Sequence, residues 1–476
     1  MYCLAIGCPN PYHGGGERRS FEILKYFSEF GIIPILYIPR SYLMFSVILE
    51  EVCRTGGLIN VLRELERFNV IVPGELYESL ENISFNMQHY LDKFRYKRLH
   101  DILLRVDRSI LEVKNNILFA KKFLEKFIQN SETNSIINRL QFAYSMIELP
   151  LFVVVGAFLA KSLRKKLYIQ LQGEPFKPLR ELVICDWISR VTFSEQQIFR
   201  EIIRLILLTS QSAFPVSRYS FSYALSNNLD GLLAVSEAPL MISGLASWAN
   251  KKGIKMKVVR PGNAIEEDVS RKYIDEDERH RLLRRKEDVA IYYTRLHSPK
   301  GLFDILPIAR KLAIEGYRLM VAGRFESIVE KKRFFKICEQ KEIKNIEYLG
   351  WLPHKDLFDV VSRSKVLIYP SHSDAFSLVV LEALFLGCSV VAYDIPAIRS
   401  VYKGLKPVKI VKEYDYKAMA EEAIKILKRD VSKHEEEHLD DNFMNFLKMH
   451  SSWRNVAKAD IEAIREMMNY PSRTCC

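Results

Sequence analysis

The stretch Pro370-Ser-His-Ser-Asp-Ala-Phe-Ser-Leu-Val-Val-Leu-Glu-Ala-Leu-Phe-Leu-Gly387 follows a short apolar run, Val366–Tyr369, and has helical composition from Ser377 to Leu386. A strand feeding a loop and then a helix is the repeating unit of parallel α/β sheets. The pattern recurs outward from it. Val289–Thr294, Leu319–Ala322, Ile346–Leu349 and Val390–Tyr393 read as further strands, separated by helical segments such as Lys300–Ile314. Near the N-terminus, Tyr2–Gly7 and Ile32–Ile38 read as strands around the loop Cys8–Gly16 and a helix over Glu17–Phe30. That helix would place Phe21, Leu24, Phe27 and Ser28 on one side and stop at Gly31. Two such series, separated by the charged stretch Glu266–Asp288, predict two sheet domains. Their ligand site would lie in the crevice beyond the strands' carboxyl ends.

Length and composition agree. The chain has 476 residues, enough for two or three domains. With 48% apolar and 27% charged residues it is neither collagenous, disordered nor a small disulfide-stapled scaffold. Lys and Arg exceed Asp and Glu by 70 to 58, a formal charge of +12 that favours anionic partners such as phosphorylated small molecules, anionic lipid or nucleic acid. The eight Cys form no CxxC pair, so neither a zinc site nor a thioredoxin-like motif is readable, and a reducing compartment is expected. No basic region precedes the first apolar run, so a signal peptide is not expected. The longest apolar run, Leu149–Ala160, is too short to span a membrane. The chain is therefore expected in the cytoplasm, with peripheral contact at the inner membrane face open. The terminal Cys475-Cys476 resembles a prenylation end, against the plainer reading of a reduced tail.

The segment Ser41–Pro150 interrupts the first series. Within it Leu99, Leu103, Val106, Ile110, Val113, Ile117, Ala120, Leu124 and Phe127 recur at spacings of four and three, which predicts a long amphipathic helix. Between Leu91 and Ile128 there are ten Lys/Arg against five Asp/Glu. Two readings stand: a helical insertion packed on the first domain, or a surface for anionic membrane or a partner protein.

Two strand-to-helix loops carry the chemistry. In Pro370–Gly387, Asp374 precedes the helix and Glu382 lies eight residues on, within it. The amides of Phe376, Ser377 and Leu378 would be unpaired donors at a helix N-terminus, which attracts phosphate. A phosphate there would sit between two carboxylates able to accept hydrogen bonds from sugar hydroxyls. An acidic N-cap with a buried-face Glu fits the same pattern. In Tyr293-Thr-Arg-Leu-His-Ser-Pro-Lys-Gly301, Pro299 suits a helix start. Arg295 and Lys300 would stand at the strand's carboxyl end, where two cations can grip a diphosphate. A solvated basic loop is the alternative.

Together these loops resemble the retaining, family-4 type of glycosyltransferases (glycosyltransferase group 1). Asp374-x7-Glu382-Ala383 is similar to that family's E-x7-E motif. Arg295, Leu296, Lys300 and Gly301 resemble its G-R-L-x(n)-K-G element. Gly14-Gly15-Gly16 before Glu17 resembles its first-domain glycine loop, Val235-Ser236-Glu237 its V-S strand end, and Arg260-Pro261-Gly262-Asn263 its interdomain loop. Gly350 and Pro370-Ser371 also fall in family order. The resemblance covers most of the chain except roughly 41–140 and the last forty residues. It departs at Asp374 (for Glu), Thr294 (for Gly), Ala375 and Ser377 (for Gly), and at Gln172-Gly173-Glu174, which ends the first-domain strand Leu167–Leu171 and where many relatives carry a His.

The resemblance implies a GT-B architecture: two Rossmann-like parallel-sheet domains facing a central cleft. Residues 1–265 would form the acceptor-side domain, with a helical insertion at about 41–150. Residues 266–430 would bind the nucleotide-sugar donor, and helices in 431–476 would pack back toward the first domain. The implied reaction moves a sugar from a nucleotide-diphosphate sugar, as co-substrate, to a hydroxyl of a glycan, lipid-linked glycan or small acceptor. Anomeric configuration would be retained, with no cofactor and no metal. Arg295 and Lys300 would hold the diphosphate, Asp374 the transferred sugar and Glu382 the ribose. Gly15, Gly16 and the backbone at Phe376–Leu378 would approach the donor. His13, Gln172 and Glu174 are acceptor-side candidates. His372 would touch the donor sugar or be a plain loop histidine. Asp275-Glu276-Asp277 matches a metal-binding D-x-D pattern but reads as a solvated helix start. A sugar-nucleotide epimerase or a phosphorylase of the same fold, and a basic nucleic-acid- or membrane-binding protein, are the alternatives. No nucleic-acid motif is present, and nucleic acid is not an expected partner.

Overall fold

The computed structural model describes residues 1–11, 15–53, 57–85, 106–129, 131–173, 175, 213–241 and 244–469. The first sheet contains β1 (Tyr2–Ile6), β2 (Ile33–Tyr37), β3 (Leu140–Ser145), β4 (Lys166–Leu171), β5 (Leu229–Ala234) and β6 (Lys255–Val258). The second contains β7 (Glu287–Tyr293), β8 (Leu319–Ala322), β9 (Ile346–Gly350), β10 (Ser364–Tyr369), β11 (Ser389–Tyr393) and β12 (Val408–Val411). The spatial orders are β2-β1-β3-β4-β5-β6 and β9-β8-β7-β10-β11-β12. All the pairings are parallel. Central strands such as β10 and β11 are buried along their whole length. This is why they read as continuous apolar runs rather than alternating ones.

Each order reverses once, between β1 and β3 in the first sheet and between β7 and β10 in the second. Adjacent strands whose connections leave in opposite directions open a crevice at their carboxyl ends. The loops singled out in the sequence, after β1, β7 and β10, all start at these two reversal points. This is the GT-B architecture.

Three strands were not legible in the sequence. β3 is Leu140-Gln-Phe-Ala-Tyr-Ser, so the insertion ends ahead of it rather than at Pro150. β6 and β12 are four residues each and lie at sheet edges. The helix expected over Glu17–Phe30 runs from Gly15 to Leu24, followed by a 3₁₀ turn at Phe27–Phe30. Gly31 closes that turn in the left-handed region at φ 75°, as the stop signal required. The helix expected from Lys300 starts at Ile305. Pro299 and Lys300 instead form a 3₁₀ turn, Ser298–Lys300.

Within the insertion a helix spans Val106–Gln129; Leu99 and Leu103 of the predicted seam lie outside the described residues. Its seam turns inward. Ala120, Phe123, Leu124 and Phe127 are buried in the first core, and Phe123 meets Tyr37 of β2 edge-on at 4.9 Å. The last helix, Trp453–Asn469, also joins the first core through Trp453, Val456, Ile461, Ile464 and Met467. The chain therefore crosses back after completing the second sheet. Asp275 caps the helix Glu276–Arg284 by accepting from the Glu278 amide at 3.0 Å, the helix-start reading of that acidic triplet.

Candidate functional site

The loop after β10 is built around Asp374. One carboxylate oxygen accepts from the Ala375 amide at 3.0 Å and the Ser377 amide at 3.3 Å. The other accepts from Lys300 Nζ at 2.8 Å and from the Tyr369 hydroxyl. Burial alone would raise this carboxyl. Lys300, with the Tyr369 and backbone hydrogen bonds, outweighs burial and holds it below the ordinary carboxylate range. Lys300 Nζ also donates to Ser373 O at 3.0 Å. The turn that places Lys300 needs Gly301, which sits at φ 78° against the Pro370 carbonyl with no room for a Cβ.

The loop then enters the helix Leu378–Phe385 through Ser377, in the left-handed region at φ 68°. The Ser377 hydroxyl caps the helix by accepting from the Val380 amide at 3.4 Å, and its carbonyl accepts from Tyr402 Oη at 2.8 Å. The first-turn amides of a helix have no partner within it, so those of Leu378 and Val379 mark an anion-attracting end. The Phe376 side chain points away, into the second core beside Tyr402 and His450. Arg295 is exposed, and its side chain makes no ion pair or hydrogen bond among the described residues.

His372 lies beneath the loop rather than in the crevice. Its side chain is fully buried between Asp304 at 3.0 Å and Glu413 at 2.7 Å, and it stacks on Tyr414. Burial disfavours its charged form, but the two carboxylates overcome this and raise its pKa to about 9. It is an imidazolium strut that ties the loop after β10 to the helix following Lys300. A touch on the donor sugar is not available to it.

The first domain meets this loop directly. A Cβ on Gly15 would stand 3.2 Å from Leu378 Cδ1, so the glycine loop abuts the start of the second-domain helix. The Ser236 hydroxyl donates to the Ala375 carbonyl. Arg18, in the first turn after the glycines, reaches across: its Nη1 donates to Glu382 Oε1 at 3.0 Å, and its Nη2 pairs with Glu266. His354 Nε2 lies 3.8 Å from Glu266 and 4.0 Å from Glu382. Arg19 points the opposite way, fully buried, donating to Gly262 O at 2.8 Å and to Asp460 at 2.7 Å.

Behind the glycine loop, Gln172 Nε2 donates to Gly16 O at 3.2 Å and Met146 O at 2.7 Å. The Gln172 amide donates to Glu148 Oε2 at 2.9 Å. Burial raises the Glu148 carboxyl to about 7 against these donors. His13 and Glu174 lie outside the described residues. Among the predicted residues, Lys300 and Asp374 are thus in direct contact. Ser377 and Leu378 adjoin them, Gly15 and Gly16 approach from the first domain, and Gln172 braces the glycine loop. The sequence reading missed Arg18, Glu148, Glu266 and Tyr369. Arg18 alone carried a signal, as a cation two residues after three glycines.

The described crevice can be set beside known proteins. Residues 274–442 match the family model for glycosyl transferases group 1. The segment that holds the second sheet is thus similar to group 1 glycosyl transferases. A relative described as an uncharacterized 41.2 kDa protein in the cps region of Klebsiella pneumoniae is 26% identical over 117 residues; the match spans 24% of this chain and only 30% of that protein. Solved structures share the fold over nearly the whole length. Sucrose-phosphate synthase from Thermosynechococcus elongatus superposes with a TM-score of 0.60 at 13% identity, covering 98% of this chain and 99% of the other. HepE of Anabaena, solved with UDP and glucose, gives 0.57 at 12%, covering 98% and 99%. A glycosyltransferase from Rickettsia africae gives 0.58 at 13%, covering 98% of each chain.

Proposed function

We propose that this protein transfers a glycosyl group from a nucleotide-diphosphate sugar to an acceptor hydroxyl, with retention of anomeric configuration. The observation that carries the reading is the Lys300–Asp374 pair at the β7/β10 reversal point of the matched segment, beside the start of the helix bearing Glu382. The group 1 match and the UDP and glucose in the HepE structure support it.

The chemistry follows from charge. The barrier is departure of the diphosphate as positive charge develops on the sugar. Fixed cations and helix-end amides aimed at the growing negative charge lower it without reorganising. Arg295 and Lys300 fill that role without a metal ion. Asp374 orients the transferred sugar's hydroxyls and Glu382 the ribose. No enzyme nucleophile is needed if the leaving phosphate accepts the acceptor's proton on the same face.

Residues 1–265 serve as the acceptor side and 266–430 as the donor side, with 431–476 as the returning segment. The acceptor is a glycan, a lipid-linked glycan or a small hydroxyl compound. No helix among the described residues is long and apolar enough to cross a membrane. The insertion helix buries Ala120, Phe123, Leu124 and Phe127 in the first core, which leaves its cations as the groups for contact with an anionic membrane, and low-salt binding to anionic liposomes tests it.

The direct test is thermal stabilisation by UDP-, GDP- and ADP-sugars with chelator present. A ligand at a hundredfold excess over Kd stabilises by about 2.7 kcal/mol. A selective shift that is lost in Arg295→Ala and Lys300→Ala supports the donor site and identifies the base. Product NMR then reads the anomeric configuration, and inversion would refute retention. Donor conversion without acceptor would point to an epimerase instead.

A further inference from the structure

We propose that Arg18 is a ligand for the donor diphosphate supplied by the first domain, passing from Glu382 to the diphosphate when the ribose takes over that carboxylate. The proposal rests on the donor-site reading above.

Each carboxylate expected to hold a donor hydroxyl pairs with a cation in this structure. Asp374 pairs with Lys300 at 2.8 Å and Glu382 with Arg18 at 3.0 Å. The four side chains are 9–20% exposed, so leaving any one of them unpaired would be costly. A nucleoside diphosphate sugar brings both missing partners at once: an anionic diphosphate, and hydroxyls on the ribose and the transferred sugar. Both pairs can then exchange together, cations to phosphate and carboxylates to hydroxyls, without stranding a charge.

The geometry suits Arg18 to this exchange. Arg19 anchors the helix turn that carries it, through Gly262 and Asp460, so its backbone is held in place. Glu266 holds the second Nη and can act as a pivot while the first swings. The Gly15–Leu378 approach puts the N-termini of two helices, Gly15–Leu24 and Leu378–Phe385, beside one another. Both ends carry partial positive charge. Arg is also the side chain whose planar fork matches phosphate. A diphosphate so placed would be gripped from both domains.

The test is calorimetric titration of wild type, R18Q, R18K and E382Q with UDP and UMP, GDP and GMP, and ADP and AMP. For the base that binds, the diphosphate-to-monophosphate affinity ratio should fall about tenfold or more in R18Q, with monophosphate affinity little changed. E382Q should weaken both nucleotides and keep the ratio. R18K, which keeps the charge but loses the fork, should fall between and serves as the comparison if R18Q does not fold. An unchanged ratio in R18Q overturns the proposal while leaving the donor site standing. So does tighter binding of both nucleotides, which would make Arg18 a mere competitor for Glu382. Equal loss of both would make it scaffold and also overturn the proposal. Absence of binding by wild type to any diphosphate overturns the donor-site reading, and this inference with it.

Discussion

Replacing Lys300 with Ala removes one partner from a largely enclosed ion pair. Nζ lies 2.8 Å from Asp374 and 3.0 Å from the Ser373 carbonyl. Stripping one member from a fully buried pair costs about 3–5 kcal/mol. Here the side chains are 14% and 20% exposed, and Asp374 keeps the Tyr369 hydroxyl and the Ala375 and Ser377 amides. The expected loss of stability is therefore about 1–3 kcal/mol. Asp374→Asn in the Lys300→Ala background removes the stranded charge, so the double-mutant cycle should give a coupling of about 1–2 kcal/mol. The sign with pH follows from the depressed Asp374 carboxyl. Its contribution is present at neutral pH and is lost as pH falls through the depressed value. The Lys300→Ala penalty should thus be largest near pH 7 and shrink below about pH 4. Urea unfolding of the four proteins at pH 7 and at a series of pH values below 4 measures this, and additive single effects at pH 7 would refute the pairing. Turnover with sugar nucleotide should fall about 10²–10³-fold, the usual effect of removing one charge-stabilising donor. Full turnover in Lys300→Ala would refute its role at the leaving group.

Ser377 tests backbone strain. Ser377→Ala keeps the left-handed φ of 68° and loses the cap on Val380, costing about 0.5–2 kcal/mol. Ser377→Gly relieves about 1–2 kcal/mol of strain and gives back a similar amount in cap and chain entropy. Gly should therefore match wild type and exceed Ala in chemical denaturation; the reverse order would refute the strain argument. Folding favours the imidazolium of His372, raised from 6.5 to about 9, so its stabilisation is full below about pH 6.5 and disappears as pH rises through about 9. Unfolding free energies between pH 7 and 10 should decline in wild type and flatten in His372→Gln. Folding favours the neutral acid of Glu148, raised from 4.5 to about 7, so its contribution declines as pH rises across that interval. Glu148→Gln should lose that slope, and an identical slope in the variant would place the titration elsewhere.

How far these features were legible in the sequence depends on how local their causes are. The loop after β10 announces itself because its strand, carboxylate and helix lie within some twenty residues, and its chemistry is held by neighbours a few positions away. The Lys300–Asp374 contact joins two such loops, and each was readable on its own. Arg18 and Glu382 are 364 residues apart, and only the meeting of two sheets brings them together. Periodicity failed where it carried little information. β6 is Lys255-Met-Lys-Val, two cations in four residues at an edge, and β3 follows a helical insertion that masks its start. His372 looked like a loop histidine because the carboxylates that charge it, Asp304 and Glu413, come from 68 residues before it and 41 after it. A buried imidazolium strut cannot be told from a ligand-facing one without knowing which side of the loop is sealed.

The two halves of the crevice divide the work unequally. In the second domain the charged groups are, on the proposed reading, the site itself: Lys300 would exchange Asp374 for a diphosphate at the helix end. In the first domain the polar groups behind the glycine loop mostly hold position. Gln172 uses its side-chain amide on Gly16 and Met146 and its backbone amide on Glu148, so its donors are engaged within the domain. Gly16 itself has no room to spare, since a Cβ there would stand 3.3 Å from Gln172 Oε1. The glycines thus serve close approach on two sides, Gly15 toward Leu378 across the crevice and Gly16 toward its own brace. A Cβ at either would require Leu378 or Gln172 to give way by a few tenths of an ångström. The placement of the loop after β10 is on this account set from the first domain, by a brace whose central carboxyl is pushed up to about 7 by burial.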